Sequence, residues 1–303
     1  MGKIRYAAES DVNAIMKLHR ECQGERNGFT EFYLKNIFDY KKSLVYENEN
    51  RIISVIDVIP HMMSLGGRRV GVMRIAMVSS LAEAKNLGYE AELFRMVLDM
   101  CDRQALITTI AADTVPYAKD YQFRARFGRQ EFRFEKKFFP RYGTTGVTTR
   151  TDPVAMEALY NRFTQHFQGQ YLSEENRIPL LLKRAEAEHA QVYTYYNADA
   201  LEGYYVTYLT NDTVVVDEIL YENGEALARM LAHASDRKPN VLVRASASER
   251  LDKVIPYAKA EIKAETLVRV NDKSLFRKCF QLGKTESFKT VWAYKALYQH
   301  EFY

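Results

Sequence analysis

The sequence predicts an α+β protein of two similar halves, each a mixed, mainly antiparallel sheet flanked by helices. Three observations carry this. Short runs rich in Val, Ile and aromatic residues, broken by turn residues, alternate with runs whose apolar positions recur at helical spacing. The order helix, helix, antiparallel meander, helix, strand occurs twice without obvious sequence identity, as in an internal structural duplication. The chain has 303 residues, 47% hydrophobic and 27% charged, enough for two domains of roughly 150 residues each.

The opening "KIRYAAESDVNAIMKLHREC" reads as strand, turn and helix. Asp11 falls where the helix dipole favours an acid, and Val12, Ile15, Met16 and Leu18 form the apolar stripe. A second helix covers "TEFYLKNIFD". The stretch 43–80 reads as consecutive strands turned at "ENEN" and "GG". "ELFRMVLDMC" follows as a helix, "ALITTIAA" as a buried strand and "QEFRFEKKFF" as an alternating edge strand. "PRYGTTGVTTRTDP" is the expected linker, rich in Gly, Thr and Pro.

In the second half, "DPVAMEALYNRFTQHF" and "SEENRIPLLLKRAEAE" read as helices, the latter opened by Ser173 with Glu175 close behind. Residues 190–221 form a three-strand meander turned at "NADA" and "TNDT". "NGEALARMLAHAS" reads as a helix, "PNVLVRAS" as a strand, "ASERLDKVIPYA" as a short helix and "ETLVRVND" as a last strand. The expected domains are 1–145 and 150–282, with 283–303 as a C-terminal tail.

Composition excludes several classes. With 43 basic and 39 acidic residues the net charge is +4, which gives no push towards nucleic acid. "FRARFGRQEFRFEKKFF" alternates aromatic and charged residues, as a strand with one apolar and one solvated face does. No uncharged apolar run approaches the ~20 residues that span a bilayer, and the N-terminus shows no signal peptide. Cys22, Cys101 and Cys279 are odd in number and widely spaced. They suit a reducing cytoplasm and pack as small apolar residues. The six histidines lack metal spacing, so no metal site is expected.

The stretch "KNLGYEAELF", residues 85–94, joins the β-like "VGVMRIAMVSS" to the start of a helix. Strand, single glycine and helix start can present backbone N–H groups to a phosphate. They can equally be an ordinary strand-to-helix turn. Lys85 offers a cation, Gly88 a position without a Cβ, and the backbone from Leu87 through Tyr89 and Glu90 to Ala91 offers N–H donors. Glu90 would favour the helix dipole yet repel a phosphate if turned inward. The corresponding junction of the second half, "LYENGEAL", holds Gly224 between Glu222 and Glu225 without a cation, a poor diphosphate cradle.

"IRYAAESDVNAIMKLHREC" resembles the first strand and helix of a GNAT-type N-acetyltransferase. "MRIAMVSS" followed by "KNLGYEAELFRMVLD" resembles its acetyl-CoA motif, strand then R/Q-x-x-G-x-G/A then helix, with Glu90 departing at the last position. The hairpin "LGGRRVGVMRIAMVSS", the linker and the ending "AETLVRVND" are together similar to the enhanced-intracellular-survival (Eis) type. That type has two GNAT-like domains followed by a sterol-carrier-like domain, and this chain stops about where the third would begin. The resemblance covers roughly residues 3–280.

The resemblance implies acetyl-CoA as cosubstrate, bound by the first half only, with Ile75, Met77 and Val78 offering backbone groups to the pantetheine arm. It implies Tyr117 as general acid, with Tyr121 as the alternative; "KDYQF" stands where the family has an "FG" element. It implies a C-terminal carboxylate, here that of Tyr303, as base. His61 and Glu31 are further base candidates, whereas His19, beside apolar residues on its helix, reads as structural. The expected activity is acetyl transfer to a primary amine of a small molecule or peptide. Partners would include neither nucleic acid nor membrane, and a homo-oligomer is compatible. The rivals are a tandem-GNAT aminoacyl transferase, whose coiled-coil insertion is not visible, and a non-catalytic binding or sensor protein.

Overall fold

The computed structural model describes residues 2–23, 27–84, 87–172 and 177–299. Lys85, Ser173, Glu175 and Tyr303 lie outside the described residues. The chain forms two compact units, one built from residues 1–126 and 265–292, the other from 127–264 and the segment starting at Ala293.

The first unit opens with β1 (Lys3–Tyr6), α1 (Val12–Gln23) and α2 (Asn27–Asn36), then β2 (Ser43–Asn48), β3 (Arg51–Leu65) and β4 (Arg68–Ser80). Next come α3 (Tyr89–Gln104) and β5 (Ile107–Ala111). Helix α2 begins three residues earlier than the sequence suggests. Asp39, expected near its end, instead caps the turn at Tyr40–Lys42 by accepting from Lys41 N.

The chain continues with β6 (Arg124–Glu135), β7 (Val147–Thr148), α4 (Pro153–Thr164), β8 (Phe167–Gln168) and α5 (Arg177–Ala187). The meander β9 (Gln191–Asn197), β10 (Ala200–Leu209) and β11 (Thr213–Tyr221) leads to α6 (Gly224–Ser235) and β12 (Asn240–Ser246). Strand β13 (Lys259–Val270), helices α7 (Lys273–Cys279) and α8 (Lys289–Trp292), and β14 (Ala296–Leu297) complete the chain. "ASERLDKVIPYA" forms only a 3₁₀ turn at Leu251–Lys253. Pro256 shortly downstream opposes a longer helix.

In the first unit the strands lie in the order β1-β2-β3-β4-β5-β13. All neighbours are antiparallel except β4 and β5, whose parallel pairing requires a crossover, supplied by α3. Leu93, Phe94, Val97, Leu98 and Cys101 give α3 one buried face, packed on Ile56, Ile75 and Ile110. Burial pushes the Cys101 thiol up to about 12, so it behaves as a small apolar residue.

The second unit repeats this plan. β9, β10 and β11 form the meander, and α6 crosses from β11 to the parallel β12. Here β6 is the antiparallel neighbour of β12, as β13 is of β5 in the first unit. The chain passes between the compact units at 126/127, 264/265 and 292/293. Phe132 and Phe134 of β6 already belong to the second unit's core, with Tyr205, Leu231 and Val243.

Within the second unit β6 has β12 on one side and the first half of β13, up to Ala264, on the other, so it is not an edge. Arg129, Glu131, Arg133 and Glu135 are ion-paired at close range. Glu131, nearly buried, lies 2.9 Å from Lys263 Nζ and 3.0 Å from Arg133 Nη2, with Arg129 and Arg244 within 4 Å. Burial would raise this carboxyl, but Lys263, Arg244 and Arg129 hold it below the usual range. Among the described residues no helix is long and apolar enough to cross a membrane, and no cluster of three or more His, Cys, Asp or Glu is placed to hold a metal.

Candidate active site

β4 stays paired with β3 as far as Ser80, but its ladder with β5 runs only from Val72–Ile107 to Ile75–Ile110. Among the described residues no strand pairs with β4 on its β5 side beyond Ile75. The cause lies in the ladder itself. The β3–β4 register passes from Val58–Ile75 to Asp57–Met77 and skips Ala76, a one-residue bulge that bends the strand. Ile75 thus closes the ladder, while Met77 and Val78 lie beyond it. Met77 faces the cluster of Tyr33, Leu34 and Ile59, and Val78 faces the α3 side.

The start of α3 lies at this opening. Gly88 is its N-cap, with φ 80, and contributes no side-chain cap. A Cβ built on Gly88 meets nothing within 4 Å, so glycine is required by the left-handed backbone rather than by crowding. Leu87 is exposed, whereas Tyr89, Glu90 and Ala91 are half-buried. The Tyr89 ring sits 4.8 Å from that of Tyr46 on β2.

Glu90 is engaged across the opening. Its Oε2 accepts from Ser80 Oγ at 2.6 Å, and its Oε1 accepts from Tyr117 OH at 2.7 Å. Ser80 Oγ is also 2.7 Å from Ser54 Oγ on β3. The Tyr117 ring meets Phe94 and Tyr121 edge to face, with centroids 5.7 and 6.1 Å away. Burial, then the hydrogen bond and charge of Glu90, hold the Tyr117 phenol well above its usual range. The phenol is therefore protonated at neutral pH, the state a general acid needs.

The loop carrying Tyr117 closes on Gln122, whose φ of 68 is left-handed, the conformation glycine favours. "KDYQF" thus keeps the backbone turn without its glycine, and Phe123 follows it into the core.

On the opposite face of β4, His19 is fully buried. Its Nδ1 lies 2.9 Å from Ser79 Oγ and its Nε2 3.0 Å from Asp57 Oδ2, the latter off the line of a good hydrogen bond. Asp57 also accepts from Tyr33 OH and Ser43 Oγ. This sealed network ties α1 and α2 to the sheet, which makes His19 structural. Of the base candidates, His61 is pushed down to about 3 by burial, then by Arg74 and Lys42, so it holds a proton too weakly. Glu31 is exposed and bound to Arg20 at 2.6 Å.

The second unit has the same bulge with different contents. The β10–β11 register skips Asp217, and the β11–β12 ladder ends at Val216–Val243. Asn223 caps α6 by accepting from Ala226 N at 2.9 Å, while Glu222 and Glu225 pair with Arg162 and Arg229. Glu218, next to the bulge, is held by Arg177 in a buried bidentate pair and by Tyr204 OH at 2.7 Å. The last described segment packs here too. Leu297 O accepts from Ser246 Oγ, and Tyr298 lies buried between Phe163 and Phe167.

A family model for the acetyltransferase (GNAT) domain matches residues 3–126. Residues 3–126 are a GNAT acetyltransferase domain. That domain makes the chain an acyltransferase by class. The GNAT domain contains β1 to β5, the bulge at Ala76, Glu90 and Tyr117. Among curated proteins none matches the sequence.

Several solved structures share the fold over most of the chain. A probable N-acyltransferase from Enterococcus faecalis superposes with a TM-score of 0.72 at 18% identity, over 89% of this chain and 73% of its own. A GCN5-related N-acetyltransferase from Anabaena variabilis gives 0.71 at 16% identity, over 90% and 73%. Eis1 from Mycobacterium abscessus gives 0.65 at 15% identity, over 92% and 76%.

Of the residues expected at the site, the fold brings Glu90 and Tyr117 into direct contact and sets Met77, Val78 and Gly88 around the same opening. Ser80, the second anchor of Glu90, was not expected. Its signal is faint, one of two serines ending the strand just before the helix-start motif.

Proposed function

We propose that the GNAT domain transfers an acetyl group from acetyl-CoA to a primary amine of a small molecule or peptide, in a tandem-GNAT chain of the Eis-like type. The observation that carries this reading is the half-paired stretch Ala76–Ser80, flanked by an uncapped helix start and a protonated Tyr117. An extended pantetheine arm adds to such an edge as a strand would. The N–H groups at the start of α3, aided by the helix dipole, suit the diphosphate, with Lys85 as its cation.

In this reading the amine attacks the thioester carbonyl directly and the new C–N bond forms. Backbone N–H groups near the bulge stabilise the oxyanion. As the C–S bond breaks, Tyr117 gives its phenolic proton to the sulfur. His61, which holds a proton too weakly, and Glu31, bound to Arg20, are poorly suited to the role of base. The second unit has a capped helix, paired acids and a filled opening, which supports a structural role without CoA. The three free cysteines suit a cytoplasmic site of action.

One observation favours a second reading. Glu90 turns into the opening, where its charge opposes a diphosphate, as in a protein that kept the fold and lost catalysis. Free-thiol release from acetyl-CoA across polyamines, aminoglycosides and lysine peptides separates the two. Amine-dependent thiol release supports the transferase. CoA binding with no release from any acceptor supports the sensor.

A further inference from the structure

Glu90 stands where the acetyl-CoA motif has a small residue, and its carboxylate is fixed by two hydroxyls, Ser80 Oγ at 2.6 Å and Tyr117 OH at 2.7 Å. We propose that Glu90 is a positioning residue that stores the proton for Tyr117 during each turnover. The inference rests on the transferase reading and adds a role that the fold alone does not supply.

The argument is electrostatic. An ionised carboxylate accepting from the phenol keeps the phenolic hydrogen turned away from the sulfur. It would also face a phenolate at hydrogen-bond distance once that hydrogen left, a repulsion that is strong in a half-buried site. Both obstacles vanish when Glu90 carries a proton. It then donates to the phenol oxygen, and the phenolic hydrogen is free to turn towards sulfur. Among the described residues the hydrogen-bond and ring contacts of Tyr117 offer no other carboxylate. Phe94 and Tyr121 fix the ring by its edges, and Ser80 holds the second carboxylate oxygen.

The proton balance closes over one cycle. The amine nitrogen bonds to the acyl carbon, and its surplus proton passes through solvent to the half-buried Glu90 carboxylate. The C–S bond then breaks, and its electron pair stays on sulfur, which takes the Tyr117 proton. The Tyr117 oxygen takes the proton held by Glu90. Amide and thiol leave, and Glu90 is again ionised.

Steady-state kinetics of Glu90→Gln test this, with acetyl-CoA and the best acceptor of the polyamine, aminoglycoside and lysine-peptide set. Gln still accepts from Tyr117 but cannot store a proton. kcat is expected to fall about 30-fold or more while KM for acetyl-CoA stays level or drops. Formate should restore part of the activity of Glu90→Ala. A kcat within about twofold of wild type, or one that rises, overturns the inference and leaves Glu90 as a mere barrier to diphosphate. If Glu90→Gln loses its circular-dichroism signature, Ser80→Ala takes its place. Its kcat should fall about threefold to tenfold at constant KM, and an unchanged kcat overturns the inference. A wild-type chain that neither binds nor turns over acetyl-CoA overturns the transferase reading and this inference together. Turnover with an indifferent Glu90→Gln overturns this inference alone.

Discussion

Ala76 and Asp217 occupy the same structural position in the two units. Each is the single residue that an antiparallel ladder skips, and each directly follows the last residue paired with the parallel strand beyond. The side chains assign the units different fates. Ala76 leaves the strand edge unburdened by charge. Asp217 is bound to Arg244 at 2.6 Å and reached by Arg184 at 3.4 Å. A shared backbone device thus serves an open edge in one unit and an ion-paired interior in the other.

Tyr117→Phe removes the hydroxyl but keeps the ring against Phe94 and Tyr121. kcat is expected to drop about 100-fold with little change in thermal midpoint. Tyr121→Phe should alter the rate far less. Thiol-release kinetics and a thermal melt of each variant check this, and an unchanged Tyr117→Phe rate would discard the assignment.

Gly88→Ala and Gly224→Ala should move in opposite directions. At Gly88 the φ of 80 strains any side chain, so alanine is expected to cost about 1 kcal/mol or more and to weaken acetyl-CoA binding. Gly224 has no left-handed backbone and open space around it, so alanine there should stabilise by about 0.4–1 kcal/mol. Urea denaturation of both variants gives the comparison. Equal effects would contradict a conformational role for Gly88.

Arg177→Met breaks the buried pair with Glu218 and leaves that carboxylate enclosed without its bidentate cation. The expected loss is about 3–5 kcal/mol by denaturant unfolding. A loss under about 1 kcal/mol would mean that water reaches Glu218.

Glu249 makes the second unit sensitive to pH. Burial raises its carboxyl to about 7 from 4.5, against the hydrogen bonds from Ser246 N and Tyr221 OH that favour the ionised form. The folded state therefore binds this proton more tightly than the unfolded state. The contribution is full below pH ~4.5 and is lost as pH rises through ~7, a change of about 3 kcal/mol. Glu249→Gln should flatten this part of the profile, gaining stability over wild type at pH 8 relative to pH 5. Chemical denaturation at the two pH values measures it, and a difference that does not change with pH would refute the assignment.

Much of the fold was legible because its signals are local. "ENEN" and "GG" fix the turns around β3, and Asn223 marks the start of α6. The helix-start motif likewise located α3 and its glycine. The bulge at Ala76 was not legible, since no glycine or proline marks it and it arises from register with β3. β6 read as an edge because alternation reports one buried face and says nothing about neighbours on both sides. Gly, Thr and Pro at 140–153 mark a loop, whereas the limits of the compact units depend on which core takes Phe132 and Phe134. Glu90 was visible as a departure from the motif, but its hydroxyl partners come from 10 residues before it and 27 after it. No local pattern could supply those contacts.

Isothermal titration calorimetry of the wild-type chain with acetyl-CoA tests the central claim most directly. Saturable binding with one site per chain, weakened by Gly88→Ala and unaffected by Gly224→Ala, is the predicted result. No detectable heat at near-millimolar acetyl-CoA, or binding that ignores both glycines, would contradict the acyl-CoA site at the start of α3.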